Sequence, residues 1–163
     1  MITNMKSLTI LSKTEADTKA LGQILGRNLR GGMVIELIGP LGAGKTTLTK
    51  AIVKSAGIRR AFSPTFILDS VFEVKGRLSL KEIHHIDFYR IKDREELLTL
   101  GLYEYIGRPD VAVIIEWADR FPTLQNKDRI TIEIEVKNDK RFIKIQAQGD
   151  CEKILGDIAR QFN

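Results

Sequence analysis

The chain has 163 residues, 43% hydrophobic and 29% charged, with 26 lysines and arginines against 21 acids and a net charge of +5. This length buries a core without disulfides or structural metal, and the balance excludes disordered and fibrous classes. No apolar run approaches the roughly 20 residues a membrane span requires. MITNMKSLTI lacks the long apolar centre of a signal peptide, so one cytoplasmic domain over 1–163 is the expectation. Cys151 is the lone cysteine; it forms no intrachain disulfide and reads as an ordinary thiol near the start of the last helix.

In chain order, SLTIL (7–11) reads as a short strand, and residues 14–29 place apolar side chains at helical spacing before the stop Arg30-Gly31-Gly32. Residues 33–38 form an apolar strand broken only by Glu36, followed by glycine-rich 39–44 and a helix over 45–55. SPTFILDSVFEV and RLSLKEIHHIDFYR flank Lys75-Gly76 and alternate β-formers, as a hairpin or two adjacent strands would. Asp93 is the N-cap candidate of a helix running to Tyr105, interrupted at Gly101, with Glu95 and Glu96 where the helix-end partial charge favours acids. Residues 111–115 are apolar enough for a central strand buried on both faces. RITIEIEV and RFIKIQAQ alternate strictly around Asn138-Asp139, an antiparallel hairpin half exposed to solvent, before a closing helix over about 150–162. The expected class is α/β: a three-layer, P-loop NTPase-like fold whose central mixed sheet has parallel core strands and a C-terminal antiparallel hairpin, flanked by helices.

Gly39-Pro40-Leu41-Gly42-Ala43-Gly44-Lys45-Thr46 fits the phosphate-loop pattern G-x-x-x-x-G-K-[ST] at every fixed position. Glycines let backbone N–H groups wrap phosphate oxygens, the following helix offers its positive end, Lys45 reaches the outer phosphates and Thr46 offers a hydroxyl to Mg²⁺. The alternative is a glycine turn before a helix. Chance gives the pattern in about one chain of this length in 200, and strand and helix context makes it rarer.

Mg²⁺ also draws a carboxylate from a neighbouring strand end. Glu116, directly after the apolar run 111–115, is the candidate, because ligands of open α/β sheets lie beyond the carboxyl ends of the strands. The competing reading pairs Glu116 with Arg120. Asp87 in HHIDFYR also ends a strand and is a candidate base, water-orienting group or holder of metal-bound water. Adjacent His84 and His85 point to opposite faces of a strand and do not share one metal. Thr65 in SPTF follows Thr46 at a spacing where a threonine can sense the γ-phosphate, although Ser-Pro also simply begins turns. Trp117 divides between core packing and contact with a ligand or partner.

Taken together, LGAGKTT, SPTF, HIDFYR followed by REELLTLGLYEY, and IIEW resemble, in that order and over nearly the whole chain, the TsaE-type ATPases that serve threonylcarbamoyladenosine formation at position 37 of tRNAs. The resemblance implies ATP (or ADP) bound with Mg²⁺, hydrolysis that is weak alone, and dependence on TsaD-type and TsaB-type partners, with tRNA met indirectly through that complex. By the family pattern residues 39–47, ending in Thr46 and Thr47, hold the phosphates. Thr46 and Glu116 hold the metal, Lys45 and Asp87 serve hydrolysis, Thr65 senses the nucleotide, and Thr14 and Glu15 help enclose the base. Pro40 stands where the family commonly has an acid.

Three rivals remain at this point. A small-molecule kinase needs an arginine-bearing lid, for which Arg90 to Arg94 is the nearby candidate. A switch GTPase fails because Asn126-Lys127-Asp128 puts the acid one place early and no D-x-x-G occurs. A nucleotide-sensing RNA-binding module is permitted by the charge but leaves the two strand-end acids without purpose.

Overall fold

The computed structural model describes residues 5–62, 69–121 and 126–162, and side chains throughout these except in 59–62. The elements are β1 (Lys6–Ser12), α1 (Glu15–Asn28), β2 (Met33–Ile38), α2 (Lys45–Ser55), β3 (Ile58–Phe62), β4 (Asp69–Val74), β5 (Glu82–Asp87), α3 (Arg94–Thr99), α4 (Leu102–Tyr105), β6 (Val111–Glu116), β7 (Asp128–Lys137), β8 (Lys140–Gln148) and α5 (Ile154–Phe162). The eight strands form one sheet in the order β1-β8-β7-β2-β6-β5-β4-β3. β2 runs parallel to β6 and β7, and β6 runs parallel to β5; the outer pairs are antiparallel. The expected mixed sheet is therefore present.

Burial explains the centre. All six residues of β6 are buried, because the sheet is covered on both faces there. Met33, Ile35, Leu37 and Ile114 pack on one face with Leu21, Leu25, Leu48, Ile52 and Ile158 of α1, α2 and α5. Val34, Val113 and Ile115 pack on the other with Phe88, Leu97 and Leu102. Helices α1 and α2 cross at backbone contact: a Cβ on Gly22 would lie 2.5 Å from the Cβ of Ala51, and one on Gly26 would lie 2.3 Å from the Ile52 carbonyl oxygen.

Local chemistry sets the ends. Thr14 caps α1 in a reciprocal box, its hydroxyl accepting from the Asp17 N–H and the Asp17 carboxylate accepting from the Thr14 N–H. Gly101, at φ 64, separates α3 from α4 as expected. Asn138 and Asp139 both have positive φ, the twist of a two-residue hairpin turn. Two expectations need correction. Strand β3, an edge strand on β4, goes unread in the sequence, and the closing helix begins later, since Gly149–Lys153 forms a 3-10 turn ahead of α5.

Candidate functional site

The turn between β2 and α2 builds the floor of a cleft of about 470 Å³ lined by Leu41, Gly42, Gly44, Lys45, Thr46 and Thr47 on one side and by Asp87, Tyr89, Arg90, Glu116 and Trp117 on the other. Gly44 caps α2 at φ 104, a left-handed conformation that side-chain-bearing residues rarely adopt, so the turn that aims the α2 N–H groups into the cleft needs glycine. The Lys45 ammonium donates to the carbonyl oxygens of Gly39 at 2.7 Å and Pro40 at 2.9 Å, and lies 3.9 Å from the centroid of the Trp117 ring. Burial pulls the Lys45 pKa below its usual value, opposed by the carboxylates of Glu116, Asp87 and Asp119. The ammonium is thus partly withdrawn from water beside three acids.

Glu116 is the meeting point. Thr46 Oγ1 donates to Glu116 Oε2 at 3.0 Å, Thr49 Oγ1 donates to Oε1 at 3.0 Å, and His85 Nε2 lies 2.9 Å from the same Oε1. Burial works against the charge of this carboxylate. The contact with His85 and the hydrogen bonds from the two threonine hydroxyls outweigh it and hold the pKa below the usual value. Parallel pairing sets Asp87 directly beside Glu116 across β5 and β6, so both acids emerge at one sheet edge. Arg120 instead donates to the carbonyl oxygens of Phe88 and Tyr89, which overturns the alternative pairing of Glu116 with Arg120. Asp87 Oδ1 accepts from the Tyr89 N–H at 2.9 Å, capping the short turn that follows β5.

Trp117 has the core packing that its sequence reading allowed, and its ring also borders the cleft. It packs against the cluster around Phe88, with the Tyr89 ring 5.0 Å away. Its backbone is left-handed, at φ 59 and ψ 40. For a bulky residue this conformation costs on the order of 1–3 kcal/mol and persists only where the surroundings enforce it, typically at functional sites.

Glu15, Thr18 and Arg141 complete the lining of the cleft. Arg141, the second residue of β8, donates its Nε to the Ala43 carbonyl oxygen at 2.8 Å. Gly39, Pro40 and Ala43 thus contribute backbone carbonyls, whereas Leu41 is 82% exposed at the loop tip. Of the residues named from sequence, Thr14 is a helix cap outside the cleft lining, Glu15 lines it, and Thr65 lies outside the described residues.

Three contributors were missed. Thr49 follows Thr46 by three positions on α2, a same-face spacing that could have flagged it. His85 precedes Asp87 by two in a strand, again one face. Arg141 gave no local signal. Thr46 and Glu116 offer oxygen donors of the kind Mg²⁺ takes; among the described residues no group of three or more His, Cys, Asp or Glu side chains is placed to hold a metal ion. Nor is any described helix long and apolar enough to cross a membrane.

Residues 12–143 match the family model described as threonylcarbamoyl adenosine biosynthesis protein TsaE. Curated relatives carrying the name tRNA threonylcarbamoyladenosine biosynthesis protein TsaE include one from Bacillus subtilis, 34% identical over 162 residues and 98% of both chains. Another, from Treponema pallidum, is 35% identical over 130 residues, 79% of this chain and 92% of its own. Among solved structures, YdiB of Bacillus subtilis superposes with a TM-score of 0.74 at 29% identity, covering 98% of each chain.

Proposed function

The chain belongs to the TsaE family of tRNA threonylcarbamoyladenosine biosynthesis, and from that premise we propose that it is a Mg²⁺-dependent ATPase, slow alone and accelerated by TsaD-type and TsaB-type partners. The observation that carries this reading is the Thr46–Glu116 contact of 3.0 Å at the mouth of the phosphate loop. Exchange of that hydrogen bond for a shared cation would give the pair a purpose beyond holding α2 against β6.

In this reading the α2 N–H groups and the loop backbone hold the phosphates, and Lys45 leaves the Gly39 and Pro40 carbonyls to pair with the outer ones. Thr46 and Glu116 would hold Mg²⁺, which supplies positive charge opposite the departing diphosphate. Thr49 and His85 fix the rotamer of Glu116. Asp87, at the same sheet edge, orients the attacking water, whose oxygen bonds to the γ-phosphorus as the bond to the bridging oxygen breaks. Thr65 senses the γ-phosphate from the segment after β3. Hydrolysis then resets or regulates the partner complex.

Phosphate release from ATP measures this directly. It should be slow for the isolated chain and rise when the two partner proteins are added; equal release with and without them sinks the partner dependence. Replacing Glu116→Ala should lower Mg²⁺-dependent turnover about 10²–10³-fold while nucleotide binding survives in part. Unchanged turnover would remove Glu116 from the metal site.

A further inference from the structure

A second groove, of about 580 Å³, runs between α1 and α2 and is lined by Glu15, Lys19, Gln23, Thr47, Lys50, Ala51, Lys54 and Ser55. It shares Glu15 and Thr47 with the nucleotide cleft and leads away from it along α2. From Thr47 the helix rises about 4.5 Å to Lys50 and about 10 Å to Lys54, so the groove extends away from a triphosphate seated in the loop. The close crossing at Gly22 and Gly26 brings the two helix faces together as walls.

Its charge is one-sided. Three lysines face a single acid, and that acid, Glu15, is already paired with Lys19. Lys50 and Lys54 are exposed, and among the described residues no carboxylate pairs with either. Beyond the groove, the Arg77 guanidinium donates to the carbonyl oxygens of Leu29 and Ser55 at the two helix ends and adds further positive charge. On the proposed function the loop holds the phosphates of a bound nucleotide, which leaves these cations open to a second anion.

We propose that the α1–α2 groove binds the phosphodiester backbone of RNA, with Lys50 and Lys54 as the phosphate contacts. Ala51 is the lone apolar residue in the lining. A protein partner would need buried apolar or aromatic anchors, and interfaces are depleted in lysine, whereas backbone recognition of RNA needs rows of cations and little else. The relatives act in tRNA modification, which puts RNA within reach. The groove therefore gives this chain a direct tRNA contact in place of one made only through partners. This inference rests on the helix pair and its charge and does not require ATP hydrolysis.

The test is fluorescence anisotropy with a labelled, unmodified tRNA transcript, titrated with the full chain at several salt concentrations. Wild type should bind at low salt with an affinity that falls as salt rises. The double variant K50E/K54E should bind about 10- to 100-fold more weakly, and K50A/K54A should show an intermediate loss and a salt slope smaller by about two. Nucleotide affinity, measured separately with ATP and Mg²⁺, should be the same in all three, which also shows that the variants fold. The matched variant K137E/K144E, with its charge changes on the β7–β8 hairpin, should retain most of the tRNA affinity. Absence of tRNA binding by wild type, equal affinity in K50E/K54E, or an equal loss in K137E/K144E would each overturn the proposal. So would a polyglutamate peptide that binds the groove in preference to tRNA, since that would make the partner an acidic protein.

Discussion

β6 and β8 both bring a charged side chain to the cleft at the β2–α2 turn, and they do it from opposite ends. β6 is a buried strand of the parallel centre, and its carboxyl end presents Glu116. β8 belongs to the antiparallel wing with β1 and β7, alternates buried and exposed residues, and presents Arg141 near its amino end. The difference follows from direction. β7 runs parallel to β2, so β8, antiparallel to β7, starts at the edge where the central strands finish. The rule that ligands sit beyond strand carboxyl ends finds Glu116 and overlooks Arg141, because it assumes parallel strands.

The contrast in burial is the easiest to break by mutation. Ile35→Ala, in the fully buried parallel centre, should lower stability by about 2–5 kcal/mol through lost transfer energy and an unfilled cavity. Phe142→Ala, on the half-open wing where the ring is 41% exposed, should lower it by less than about 1 kcal/mol. Urea unfolding followed by circular dichroism measures both. Equal losses would mean that the open face of the wing is covered in solution.

A smaller effect asks whether the two regions unfold together. Cys151, in the 3-10 turn after β8, belongs to the same buried cluster as Ile35 and Leu48. Burial pushes its pKa from 9.0 up to about 11, despite the nearby Arg30. A raised folded value means that this contribution to stability is complete below pH 9 and is lost as pH climbs from 9 to 11. At pH 8, then, a thiol reagent should label the folded chain slowly and the urea-unfolded chain at once. If the wing opens only by global unfolding, ATP and Mg²⁺ at about 100 times their Kd should slow labelling about 100-fold. Labelling that ignores the ligand would show that the wing opens on its own.

The same division explains what the sequence made legible. Apolar runs 33–38 and 111–115 report strands buried on both faces, and a motif with fixed glycine and lysine spacing reports the loop between strand and helix, because these are local patterns. Strand β3 escaped because IRRAF interrupts the β pattern with two arginines and owes its strand state to pairing with β4. Arg141 escaped for a related reason: it lies 98 positions from Ala43, and its side chain reaches the loop only once β1 and β8 have aligned Arg141 opposite Ser12. His85 and Thr49 were legible in principle, since their spacing from Asp87 and Thr46 places each on the same face, but no residue pattern said that this face would converge on Glu116.

Arg141 supplies the finest test of the comparison. Its Nε holds the Ala43 carbonyl and its side chain lines the cleft, so on the proposed function it acts by shaping the loop that holds the phosphates. Arg141→Ala should therefore weaken ATP and ADP binding alike, by about 10-fold, the worth of a charge-assisted contact in a half-open site. Turnover at saturating ATP should hold. Arg141→Lys keeps the charge but loses the planar fork that can bond Ala43 and a ligand together, so its affinity should fall between the two. Calorimetric titration and saturated phosphate release separate these effects. A fall in turnover with affinity intact would place Arg141 at the reacting phosphate, and the wing would then share in the chemistry that the proposed function assigns to the parallel centre.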